Sequence, residues 1–192
     1  MSKMEEKREQ KRQAILTAAK TTFLEDGYVL ANMDKIAGAA GVTKQTVYRY
    51  FPSKPELFKA VMKKMGEQPA GTFLEELKAA DDREALVNFS KKFIEFHIGE
   101  EQIALARLII AEGAKAPELT SVFFQEGPDE VGTALVAFMR DRLKLDDPET
   151  SATILGGALH SIRTQILMGM PCPPADEIDR FAEKAARMFL PS

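Results

Sequence analysis

Eight consecutive positions, 43–50 (TKQTVYRY), concentrate side chains able to grip and read a nucleic acid. Gln45 can form paired hydrogen bonds with adenine, and Lys44 can reach the N7 and O6 acceptors of guanine. The hydroxyls of Thr43, Tyr48 and Tyr50 suit phosphate oxygens. At about 100° per residue, counted from Val47, Gln45 and Arg49 point away from a core. Thr46 and Tyr48 flank them, and Lys44 lies to one side. The plainer reading of the same pattern is a helical hairpin with a solvated polar face.

Such side chains read a groove only if their helix is held steeply against another, and residues 33–51 have the pattern for that. Met33, Ile36, Ala37 and Ala40 recur at i, i+3, i+4 and i+7, one apolar face of a helix. Gly41 supplies a turn position that tolerates positive φ. Small Ala37, permissive Gly41 and branched Val47 are what two crossing helices need, and together they predict a helix-turn-helix with its second helix in the major groove. PSKPELF follows at 52–58. Ser53 and Glu56 form a capping box, with Pro55 in the first turn, so a helix is expected from Lys54. Its N-terminal amides and Lys54 make a phosphate site.

The rest of the chain bounds this reading. Its 192 residues suffice for one or two domains with a sizeable core. No apolar run approaches the roughly 20 residues of a membrane span, and the start is charged rather than secretory, so a cytoplasmic protein with no membrane partner is expected. Cys172 is the only cysteine, which excludes an intrachain disulfide. It is read as a surface thiol rather than a redox sensor, since no resolving cysteine exists. There is no phosphate-cradling glycine loop, HExxH or GxSxG, so neither cofactor nor metal is expected. The formal net charge is −3, yet residues 1–65 carry 13 Lys/Arg against 7 Asp/Glu, and the remainder 13 against 22. A basic head on an acidic body is the footprint of a DNA-binding domain joined to something else.

The pattern is all-α, about nine helices, with no strand alternation. The basic run at 3–12 reads as an arm leading into a helix with the stripe Ile15, Leu16, Ala19 and Phe23, ended by Gly27. Asn32 is placed to cap the next helix. Gly66 and Pro69 are expected to weaken or kink the helix begun at Lys54. Asp81 with Glu84 starts another, ending near Gly99, and Pro117 opens a further one. Residues 131–145, 148–169 and 174 onward complete the set, with Asp147 as a cap. Candidate ligand-facing residues in this body are His97, His160, Arg107 and Arg163, polar groups amid apolar helices that need partners if buried. Phe93, Phe96, Phe123 and Phe124 read as core that could also line a pocket. Gly156 and Gly157, mid-helix, suggest close approach of another helix, either within the chain or from a second subunit.

The run GVTKQTVYRYFPSKPELF, preceded by MDKIAGAA, resembles the TetR family of bacterial transcriptional regulators over residues 10–65. ARLIIAEGAKAPELTSVFFQEGP and DDPETSATILGGALHSI are similar, more loosely, to its AefR-like branch. The resemblance implies an all-helical homodimer with a three-helix DNA-binding head at 1–53. It further implies a ligand-binding and dimerisation body at 54–192, the last two helices forming a four-helix interface. By position, Thr43, Lys44, Gln45, Thr46, Tyr48, Tyr50 and Lys54 would contact double-stranded operator DNA. Ala31 departs from the Thr often found at its place, so one phosphate contact would be missing or passed to Asn32. The implied function is a sequence-specific repressor released by a small hydrophobic or amphipathic effector. The alternative is a catalytic or carrier body, with His97 or His160 as its reactive group and the head as a tether.

Overall fold

The computed structural model describes residues 2–125 and 129–190, with the side chains of 66–72, 123–125 and 129 outside that description. Among the described residues there are ten helices and no strand: α1 Lys3–Asp26, α2 Met33–Ala39, α3 Lys44–Tyr50, α4 Lys54–Glu76, α5 Asp82–Ile98, α6 Glu100–Glu112, α7 Pro117–Gln125, α8 Asp129–Asp141, α9 Pro148–Leu167 and α10 Ala175–Arg187. This is the all-α fold expected, with about nine helices read from the sequence.

Most helix starts are set by one side chain. Asn32, Thr43, Ser53, Asp81 and Asp147 each accept a hydrogen bond from the backbone N–H three residues on, satisfying a donor that the first turn leaves orphaned. The arm expected at 3–12 is instead helix. Ser2 and Glu5 close a reciprocal capping box that starts α1 at Lys3. α4 is assigned through Gly66 and Pro69, the residues expected to weaken or kink it, so it is not broken there. α8 ends at Asp141, short of the expected 145, and Lys144 beyond it has φ 55°.

The helices pack as two compact units. The first comprises Met1–Met65 and Arg107–Gly127, the second Gly66–Ala106 and Pro128–Ser192. The first unit takes in the first half of α4. Leu57, Phe58 and Val61 are buried there with Ile15, Leu16, Phe23, Ile36 and Val47. Phe58 meets Phe23 and Tyr28 edge to face, with ring centres 5.3 and 5.2 Å apart. Such pairs add about 0.5–1.5 kcal/mol each beyond the area they bury.

In the second unit α5 packs against both α9 and α10, and α8 against α9. Its core includes Phe73, Leu86, Phe89, Phe93, Ile94, Met139, Leu155, Leu159 and Ala182. Arg142 donates to the carbonyls of Leu77, Ala79 and Ala80 and pairs with Asp82, fixing the turn from α4 to α5.

Candidate nucleic-acid interface

The crossing of α2 and α3 is built as the small-residue spacing predicts. Ile36 and Val47 are fully buried, Ala37 nearly so. Gly41 takes φ 65°, and the Val42 N–H reaches back to the Ala37 carbonyl at 3.0 Å. That pairing closes α2 and aims the chain into α3. Thr43 caps α3, and its Oγ1 lies 3.0 Å from that of Thr46, so the two hydroxyls are locked together at the start of the helix.

With Val47 pinned inward, the opposite face is set. Lys44, Gln45, Tyr48 and Arg49 are exposed, and Thr46 and Tyr50 partly so. Tyr48 leaves 42% of its surface in solvent, with its ring and hydroxyl accessible on this face. Lys44 is tethered to Asp34 of α2 at 2.8 Å, which raises its pKa above the usual lysine value. An exposed pair of this kind is weak and exchanges readily for a phosphate.

Lys54, Ala31 and Asn32 lie at the loop between α1 and α2. The Lys54 ammonium donates to the carbonyls of Tyr28 (2.8 Å), Val29 (3.2 Å) and Ala31 (3.1 Å) and lies 4.6 Å from the centre of the Tyr28 ring. An ammonium has three N–H donors. All three are engaged here in holding the loop between α1 and α2. Ala31 is buried and brings no hydroxyl. Asn32 caps α2, its Oδ1 accepting the Lys35 N–H at 2.8 Å, and its side-chain NH2 remains available to donate.

The fold also gathers residues that sequence reasoning missed. Because α1 begins at Lys3, the basic run lies along a rigid helix beside the end of α3. Met4, Lys7, Arg8, Lys11, Arg49 and Tyr50 line a groove of about 520 Å³. An adjoining one, of about 610 Å³, adds Arg12 together with Glu5 and Glu9. The Tyr50 hydroxyl donates to the Arg8 carbonyl at 3.1 Å and so ties the two helices together. The spacing of Lys3, Lys7 and Lys11 is the signal that could have found this face: four-residue steps are one side of a helix.

In the second unit, four of the eight ligand candidates meet. His97 on α5 lies with its ring centre 4.0 Å from Phe93, 4.8 Å from Phe96 and 4.7 Å from His160 of α9. The Nδ1 atoms of His97 and His160 contact the Phe93 and Gly156 carbonyls at 2.8 and 2.9 Å. A carbonyl only accepts, so in each ring Nδ1 carries the proton and Nε2 presents a lone pair. Burial pushes the His97 pKa down to about 3, with His160 and Arg163 contributing in the same direction. Burial and then Arg163 lower His160. Arg107 falls in the first unit, on the exposed side of α6. The side chains of Phe123 and Phe124 lie outside the described residues. No group of three or more metal-ligating side chains occurs among the described residues, and no described helix is long and apolar enough to cross a membrane.

Residues 15–61 match the family model for bacterial regulatory proteins of the tetR family. Residues 84–192 match that for the C-terminal domain of AefR-like transcriptional repressors. The chain is 34% identical to the HTH-type transcriptional activator FasR of Mycolicibacterium smegmatis over 90 residues, 46% of this chain and 41% of that protein. It is 34% identical to the HTH-type transcriptional regulator YhgD of Bacillus subtilis over 126 residues, 66% of this chain and 57% of that protein. The matches thus span about half the length of these relatives. A TetR-family regulator from Mesorhizobium loti has the same fold, with a TM-score of 0.83 at 24% identity, covering 98% of this chain and 97% of that one. The flavonoid-responsive regulator FrrA aligns with a TM-score of 0.75 at 27% identity, covering 93% and 94%.

Proposed function

The chain belongs to the TetR family of bacterial transcriptional regulators, and on that premise we propose that it is a dimeric repressor released from its operator by a small apolar or amphipathic ligand. Like its relatives it is a regulator of transcription, not an enzyme. The observation that carries the DNA reading is the split of α3 into a buried Val47 and an exposed Gln45–Tyr48–Arg49 face. Gln45 has no hydrogen-bond partner among the described residues, and its carboxamide suits an adenine edge. Thr43, Lys44, Thr46, Tyr48 and Tyr50 take the surrounding contacts, with Lys7, Arg8 and Lys11 of α1 on the flanking phosphates. Lys54 contributes by fixing the loop that leads into α2.

The dimer contact falls on α9. Ile154 leaves 53% of its surface exposed, and no neighbouring element lies within 4 Å of a Cβ built at Gly156 or Gly157. That favours the second of the two readings of this glycine pair, approach by another subunit. Two copies would then set two α3 helices on half-sites about one helical turn apart.

A ligand in the second unit weakens DNA binding only by its differential affinity for the two states. Within the first unit, α6 has a means of reaching the head. Glu112 accepts the Val29 N–H at 2.8 Å, in the same loop that Lys54 holds. The name of FrrA, a flavonoid-responsive relative, supports an aromatic effector, and that of FasR supports activation as the second reading of the regulatory sign.

The test is a binding-site selection with the full-length protein. Gln45→Ala should relax preference at one position of each half-site, costing about 1–3 kcal/mol of discrimination. An unchanged selected sequence would remove Gln45 as base reader. A reporter driven by the selected site then separates repression from activation.

A further inference from the structure

The first turns of α1 are sorted by charge. At about 100° per residue, Lys3, Lys7, Lys11, Met4 and Arg8 fall within one arc of roughly 140°. Glu5, Glu6 and Glu9 lie on the other side of the helix. Glu5 accepts the Ser2 N–H, and Glu9 accepts from Gln13 and lies 3.8 Å from Arg12. Lys3, Lys7 and Lys11 are exposed and pair with no carboxylate among the described residues. Met4, inside the basic arc, leaves 80% of its surface in solvent. The groove of about 520 Å³ between this face and the end of α3 has no carboxylate in its lining, whereas the adjoining one carries Glu5 and Glu9. A phosphate strand is therefore attracted to one side of α1 and repelled from the other. Tyr50 ties the two helices together through the Arg8 carbonyl at 3.1 Å, so α1 is positioned with α3.

We propose that the basic face of α1, with Met4 on it, enters the minor groove bordering each half-site and distinguishes A·T from G·C at pairs that α3 does not touch. The proposal rests on reading α3 as the major-groove helix. One sugar–phosphate strand separates a major groove from the next minor groove. With α3 in the major groove, that strand fills the groove beside Arg49 and Tyr50, and the lysines of α1 stand on its far side. The minor groove there presents only acceptors at A·T pairs, whereas G·C adds the guanine amino group. A lysine ammonium only donates, so it is matched to the first and opposed by the second. A·T runs also narrow the groove and strengthen its negative potential, which favours inserted cations. The flexible apolar chain of Met4 packs against sugars and base edges, as the apolar wedges of minor-groove proteins do.

Duplexes carrying one selected operator, with the pairs bordering each half-site set to A·T, G·C or inosine·cytosine, provide the test. Inosine·cytosine keeps the major-groove edge of G·C but lacks the amino group, so its minor groove resembles that of A·T. The full-length protein should bind A·T and inosine·cytosine flanks alike and G·C flanks roughly tenfold more weakly. The double variant Met4→Ala/Lys7→Gln should lose this flank preference while selecting the same half-site sequence, which also shows that its head is folded. The slope of its log affinity against log salt should fall by about 1. Equal affinity for all three flanks, inosine·cytosine bound like G·C, or a flank preference or salt slope unchanged in the variant would overturn the placement of α1 and leave α3 as the base reader. Failure of the wild type to select any operator sequence would overturn both.

Discussion

Lys54 and Arg142 perform the same task in the two units. Each brings a cation to a turn whose carbonyls have no helical partner, and each engages three of them. For Lys54 this changes what a mutation reports. Lys54→Met leaves the Tyr28, Val29 and Ala31 carbonyls to water and removes the cation from the Tyr28 ring. It should lower stability by about 1–3 kcal/mol, since hydrogen bonds to charged groups sit in that range. Urea denaturation of the full chain reads this directly, and a variant as stable as the wild type would remove this role in the loop. The sequence showed that a lysine stood at a helix N-terminus. It did not show that three carbonyls from residues 23 to 26 positions earlier would accept from it.

At the level of elements, local chemistry was largely readable. Asn32, Ser53, Asp81 and Asp147 cap where their spacing says they should, because a cap depends on residues three apart and on little else. Two nearby glycines separate intrinsic propensity from backbone need. Gly38 lies inside α2 with an ordinary helical backbone, Gly41 has φ 65°, and a Cβ at either meets no atom within 4 Å. Gly38→Ala should therefore stabilise by about 0.5–1 kcal/mol through helix propensity. Gly41→Ala should destabilise by about 1–2 kcal/mol because an L side chain resists the left-handed region. Thermal melts that moved in the same direction for both would refute the assignment of the turn to Gly41. The element that sequence misjudged is the start of α1. A charged run there looks like a solvated arm, and only the Ser2–Glu5 box and the packing of Tyr50 on Arg8 make it a helix with a basic face.

For the whole molecule, charge and packing divide the chain at different places. The excess of basic residues ends near residue 65, whereas the compact unit containing the head takes in 107–127 as well. Function at this scale depends on two heads acting together. If α9 forms the subunit contact, Ile154→Arg places a charge in an apolar seam and should yield monomers. Sedimentation would detect them, and operator affinity should drop by about a hundredfold or more as the gain from linking two half-sites is lost. A dimeric Ile154→Arg protein would move the contact elsewhere.

The sequence by itself determined the all-helical class, the helix-turn-helix, the outward face of α3 and most caps. These depend on helical periodicity and on neighbours within four residues, which are local properties of the chain. Only the tertiary structure decided that Lys54 holds a loop, that α1 lends a basic groove to α3, and that His97 and His160, 63 positions apart, meet among phenylalanines while Arg107 falls in the other unit and faces solvent. Those outcomes depend on which helix faces pack together, and packing is settled by the joint burial of side chains distant in the chain, which no local spacing encodes.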